Sequence, residues 1–146
     1  MRKEELSELE LSMADLKTAR DVEAFIIENC DADSVRFYEY LNRIIEDKKL
    51  KVADVMKRSN INQNYGYNIV NGARKNPGRD KIIAICIGSG MTFRETQEAL
   101  DRAKAARLYY RSERDVRIAA ALNNHVRDVV KVNMELSDNG LEPLSV

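Results

Sequence analysis

The stretch "NINQNYGYNIVNGARKNPGR", residues 60–79, holds six asparagines, one glutamine and two tyrosines. A side-chain amide carries a donor and an acceptor together, a pairing that matches the edge of adenine. Wound as a helix, residues 63–71 sort by chemistry. Gly66, Ile69 and Val70 share one side, while Asn64, Tyr67, Asn68 and Asn71 share the other, with Gln63 on a flank. A loop has no reason to sort its residues in this way. Lys51, Arg74, Lys75 and Arg79 flank this helix with charge suited to phosphate oxygens.

Such a face needs elements to hold it. In "VADVMKRSN", Val52, Val55 and Met56 follow the i, i+3, i+4 rule. The segment stops at Asn60, and asparagine is the best non-glycine residue for a left-handed position. Asn62 is then an N-cap, and Gly72 a C-terminal stop. Gly66 costs a helix about 1 kcal/mol relative to alanine. It points either to two backbones passing closely or to a helix that orders fully only on its target. Asn76 is expected to cap the next helix, with Pro77 at its first position and Gly88 and Gly90 ending it. Thr92 to Glu95 forms a capping box for a helix reaching about Ala106. Ser112 and Asp115 start another, with Arg114-Asp115 as an ion pair at its start. The last helix is expected from Val126 to Asn139, ending at Gly140, with Leu141 and Leu144 packed back on the bundle.

Upstream, Leu6, Leu9, Met13 and Leu16 lie at helical spacing, and a short helix follows with Val22, Phe25 and Ile26 inward. Asp33 or Ser34 can cap the helix whose apolar stripe is Tyr38, Leu41, Ile44 and Ile45. Strand-like alternation is not sustained anywhere, so the expected fold class is all-α. No internal repeat is evident.

The 146 residues suit one compact domain or a small domain with a helical extension. No apolar run reaches the roughly 18 residues of a spanning helix, and the acidic start does not fit a signal peptide. A reduced cytoplasmic protein is therefore expected. Cys30 and Cys86 share no metal-ligand spacing. His125 is the only histidine, and "GSG" at 88–90 lacks the Lys and Ser/Thr of a phosphate loop. Neither enzyme activity, a cofactor nor a metal is expected.

Net charge is zero but uneven. Residues 1–33 hold 4 Lys/Arg against 10 Asp/Glu, residues 34–90 hold 11 against 5, and the remainder 9 against 9. A nucleic-acid surface needs such a basic middle, although solvated helices also drift in charge. The acidic N-terminus either packs as an ordinary edge helix or covers the basic surface and competes for it.

The helices over 51–71, with "VADVMKRSNINQNYGYNIVNG", "ARKNP" and the later "GSGMTFRETQEAL", resemble the DNA-binding domain of the lambda-repressor-like (XRE/Cro) regulators. The resemblance covers about half of the chain. "YGYNIVNGARKNPGRD" and "LYYRSERDVRIAAALN" look like a bacterial subgroup with extra C-terminal helices. It implies a five-helix domain over 34–106, between an acidic helical extension at 1–33 and a C-terminal one at 107–146. It further implies double-stranded DNA as partner and a homodimer on a two-fold-related site. Gln63, Asn64, Tyr67 and Asn68 would contact bases. Lys51, Asn71, Arg74, Lys75 and Arg79 would contact phosphates. The alternative is a protein-docking module that keeps this fold without binding DNA. Two departures couple to each other. Met56 stands where the family prefers alanine, and Gly66 where it prefers isoleucine or valine. A volume swap follows as an expectation, with Met56 filling the space left by Gly66 and Tyr65 covering the remaining side.

Overall fold

The computed structural model describes residues 8–29, 36–74 and 76–146. Among these, every regular element is a helix: α1 (Glu8–Ala14), α2 (Ala19–Asn29), α3 (Phe37–Asp47), α4 (Val52–Arg58), α5 (Gln63–Val70), α6 (Arg79–Gly88), α7 (Phe93–Arg102), α8 (Glu113–Asn123) and α9 (Val129–Asp138). No helix of the described residues is long and apolar enough to cross a membrane.

The chain divides into two compact units at Ser34/Val35. In the first, Met13, Val22 and Ile26 are exposed, against the expectation that the last two turn inward, and Phe25 is half-buried. Leu6, Asp33 and Ser34 lie outside the described residues.

The second unit is built around α6, whose apolar run Ile82–Ile87 is buried on all sides. That burial accounts for a helix apolar all round. Phe37, Leu41, Ile44 and Ile45 of α3, Val55 and Met56 of α4, Ile69 of α5 and Leu100 of α7 pack into the same core. So do Ile118, Leu122, Val132, Leu136 and Leu144, and the segment beyond residue 107 thus shares one core with α3–α7. Tyr38 is half-buried, its ring packed over Gly72. Cys86 is fully buried, and that desolvation pushes its thiol up to about 12, the behaviour of a small core residue.

Six helices end alike. Lys49, Asn60, Gly90, Lys104, His125 and Gly140 take positive φ. The next residue in each case donates its N–H five residues back: Leu50 to Ile45, Ile61 to Met56, Met91 to Cys86, Ala105 to Leu100, Val126 to Ala121 and Leu141 to Leu136, at 2.8–3.0 Å. This is the Schellman ending, and all six donors lie in or against the core. Apolar burial after the turn holds even lysine and histidine in a backbone region that ordinarily favours glycine.

The chain contains an internal repeat that side-chain identity alone conceals. Residues 79–110 and 114–146 follow one plan. Arg79-Asp80 corresponds to Arg114-Asp115, the left-handed Gly90 to His125, α7 to α9, the left-handed Lys104 to Gly140, and the buried Leu108 to Leu144. After each second helix, an extended strap is held in the same manner. Arg79 donates to the carbonyls of Ala106 (2.8 Å) and Arg107 (3.0 Å), and Arg114 to those of Glu142 (2.8 Å) and Pro143 (3.0 Å). Gln97 accepts from the Leu108 N–H and Asn133 from that of Leu144, both at 2.8 Å. Asp115 accepts the Tyr109 N–H and Asp80 that of Ser145, both at 2.9 Å. The pairs then cross: Arg79 meets Asp115 at 2.8 Å and Arg114 meets Asp80 at 2.9 Å. Arg114 and Asp115 therefore do not pair locally; each holds the other repeat.

Three helix ends differ from expectation. Asn76 does not cap α6 but takes φ 57, and Gly78 precedes the helix, so Pro77 lies outside it. α7 stops at Arg102, where its Schellman turn closes, and α9 begins at Val129 because Asp128 caps it. The Thr92–Glu95 capping box forms as expected.

Burial alone would raise the Asp80 carboxyl, but hydrogen bonds from Arg114 and the Ser145 N–H, with the charges of Arg114 and Arg79, hold it below its ordinary value. A depressed carboxylate contributes stability above its unfolded pKa and loses it as pH falls through the folded one. Asp80→Asn should therefore cost roughly 1–2 kcal/mol at pH 7. Urea melts at pH 7 and near pH 3 check this: the wild-type advantage should shrink at the lower pH.

Candidate nucleic-acid interface

α4 and α5 meet at the tight bend anticipated from Asn60, which has φ 58. Ile61 follows it into the core at 7% exposure. The Asn62 side chain then accepts the N–H groups of Asn64 (3.0 Å) and Tyr65 (3.4 Å). That cap sets where α5 begins and so which residues point outward.

The seat of α5 is a contact between Met56 and Gly66. A Cβ added to Gly66 would overlap the Met56 Cγ and Sδ, and Met56 is 1% exposed. The volume swap expected from the sequence is present. A second seat was not foreseen: Asn42 of α3 donates its amide to the carbonyls of Tyr38 and Val70, both at 2.8 Å. A polar residue beside an apolar stripe was its only signal. On the far side of α4, the backbones of α4 and α6 approach so closely that a Cβ on Gly88 would lie 2.7 Å from the Val55 carbonyl. Arg58 ties the same junction through the Gly88 carbonyl at 2.9 Å.

With Gly66 and Ile69 buried, the opposite face of α5 is open. Gln63, Asn64, Tyr67 and Asn68 are all exposed, Tyr67 at 45%. None of their side chains has a hydrogen-bond partner among the described residues. The structure therefore gathers four of the nine candidate residues onto one surface. Asn71 is exposed at the end of α5, where its side-chain oxygen accepts the Ala73 N–H at 2.9 Å. Arg74 is exposed, and its N–H donates to the Asn68 carbonyl at 2.8 Å, holding the loop against α5. Lys51 is exposed just before α4. Lys75 lies outside the described residues. Arg79 is engaged elsewhere. Its guanidinium is committed to Asp115 and the first strap, which leaves it poorly placed for a phosphate.

Two residues were missed. Tyr65 lies half-buried on the flank of α5, with the Arg74 guanidinium 4.7 Å and the Lys81 ammonium 5.4 Å from its ring centroid. Lys81 gave no signal in the sequence because its neighbours there belong to the core-forming run of α6.

No metal-binding group of His, Cys, Asp and Glu occurs among the described residues. No protein-family model, no curated protein and no solved structure matches the chain.

Gly66→Ala should destabilise the fold by about 1–3 kcal/mol although alanine is the better helix former, because Met56 must move. In a Met56→Ala background the same change should cost less or stabilise. A double-mutant cycle by thermal or urea unfolding checks the coupling, and additive effects would show that the contact is not the seat.

Proposed function

We propose that the chain is a sequence-specific DNA-binding regulator of the lambda-repressor-like helix-turn-helix type, with α4–α5 as its motif and α5 in the major groove. The observation that carries this reading is the outer face of α5, where Gln63, Asn64, Tyr67 and Asn68 stand exposed and uncommitted on a helix seated by Gly66, Ile69 and the Asn62 cap. A short helix with this face presents paired donors and acceptors at the depth at which bases are read. Tyr67 adds a hydroxyl and a ring edge for a phosphate or a thymine methyl.

Base contacts specify and phosphate contacts position. Lys51, Arg74 and Lys75 supply the positioning charge, and the Asn71 amide nitrogen joins them. Arg79 acts one step back, by fixing the start of α6 where the basic loop ends. Binding as a homodimer to a two-fold-related site goes with this reading, as does a cytoplasmic location in a bacterium.

Equilibrium binding to duplex DNA over a range of salt concentrations tests it. Affinity should fall steeply with salt. Arg74→Ala with Lys75→Ala should weaken all sequences alike and flatten the salt slope. Asn64→Ala should instead relax preference at one base pair, by roughly 1–3 kcal/mol of discrimination. Absence of duplex binding by the wild type at low salt would favour the protein-docking alternative.

A further inference from the structure

Arg74 and Lys81 approach one ring from different elements. Arg74 comes from the loop after α5, and Lys81 from the first turn of α6; both lie within 5.4 Å of the Tyr65 centroid. Most other basic groups near the core are neutralised nearby: Lys48 by Glu95, Arg79 by Asp115, Arg102 by Glu98 and Arg114 by Asp80. Neither Arg74 nor Lys81 has a carboxylate partner among the described residues. The Tyr65 hydroxyl likewise has no hydrogen-bond partner among them.

The balance of forces is incomplete. A ring face attracts each cation weakly, while the two cations repel each other. An anion bound beside them would offset that repulsion and accept from the guanidinium and the ammonium. The ring also limits the motion of two long side chains, so less rotamer freedom is lost when the anion arrives.

We propose that Tyr65, Arg74 and Lys81 form a phosphate clamp, in which the Tyr65 ring holds the two cations ready for a backbone phosphate of the duplex contacted by α5. This rests on the DNA-binding reading and adds two residues to it. Tyr65 belongs to the same helix as the amide face, one residue from Asn64, so a phosphate held here fixes the register at which the amides meet the bases. Tyr65 acts chiefly as a positioning residue, through the cations that it organises.

The clamp is tested by equilibrium binding of a random-sequence duplex against salt concentration, with folding of each variant checked by thermal melting. Tyr65→Leu should weaken binding about tenfold and reduce the salt slope by about one, because one phosphate neutralisation is lost. Tyr65→Phe keeps the ring and should keep the slope. Lys81→Gln should reproduce the smaller slope and add less than its own effect to Tyr65→Leu. A wild-type slope for Lys81→Gln overturns the clamp, as does full additivity of the two changes. Should Tyr65→Leu not fold, Lys81→Gln and Tyr65→Phe carry the decision. Absence of wild-type duplex binding would refute the DNA-binding reading separately. The clamp would then be judged by titrating inorganic pyrophosphate while following the Tyr65 ring resonances: movement supports it, and none overturns it.

Discussion

Met56 occupies the space where a side chain at residue 66 would begin. The orientation of α5 depends on this contact. A glycine on its inner face lets the helix settle onto α4, and the sulfur-containing side chain fills the gap that a shorter one would leave. The settled helix turns Ile69 inward and the amide row outward. The loss in helix propensity at Gly66 is offset by packing, and the Asn62 cap supplies local support at the helix start. The outer face can then be polar throughout, because nothing in the core requires otherwise.

Around that seat the chain repeats one device, a helix closed by a left-handed residue and a buried apolar one. The device tolerates lysine, asparagine, histidine or glycine at its turn, since the following residue supplies the driving force. Used twice with an arginine, an aspartate and a strap, it yields two interlocked repeats. The crossed pairs connect the start of α6 to the C-terminal tail. The same start of α6 ends the basic loop after α5. Support thereby reaches the loop beside α5, even though the supporting residues lie far from it in sequence. The repeats also differ in an informative way. Ile82 and Ala99, buried beneath α3–α5, correspond to Arg117 and Glu135, which pair at 3.5 Å near the surface. At these two positions of the second repeat, charge replaces the apolar contact.

Much of the arrangement was legible because its causes are local. Asn60 and Asn62 act on their own backbone or within three residues, and Thr92 and Glu95 cap each other. The Met56–Gly66 exchange was legible because two departures from one pattern had to compensate for each other. Asn76 misled because the Asn-Pro pair resembles a helix start, whereas α6 begins where the distant α8 and C-terminal tail capture Arg79 and Asp80. The repeat was concealed because it preserves backbone geometry and a few polar partners rather than residue types. At the candidate site, the amide face followed from helical periodicity. Asn42, Tyr65 and Lys81 did not, since each acts across elements, and the partners that engage Arg79 lie in a strap distant in sequence.

The central claim is that α5 reads DNA through its amide face. The most direct measurement is selection of duplexes from a random pool by the wild-type protein, repeated with Asn64→Ala and Asn68→Ala. The predicted result is enrichment of a defined motif containing adenine, with the preference at one or two positions lost in the variants while the rest of the motif persists. Retention without any enriched motif, or a motif unchanged by both substitutions, would contradict it.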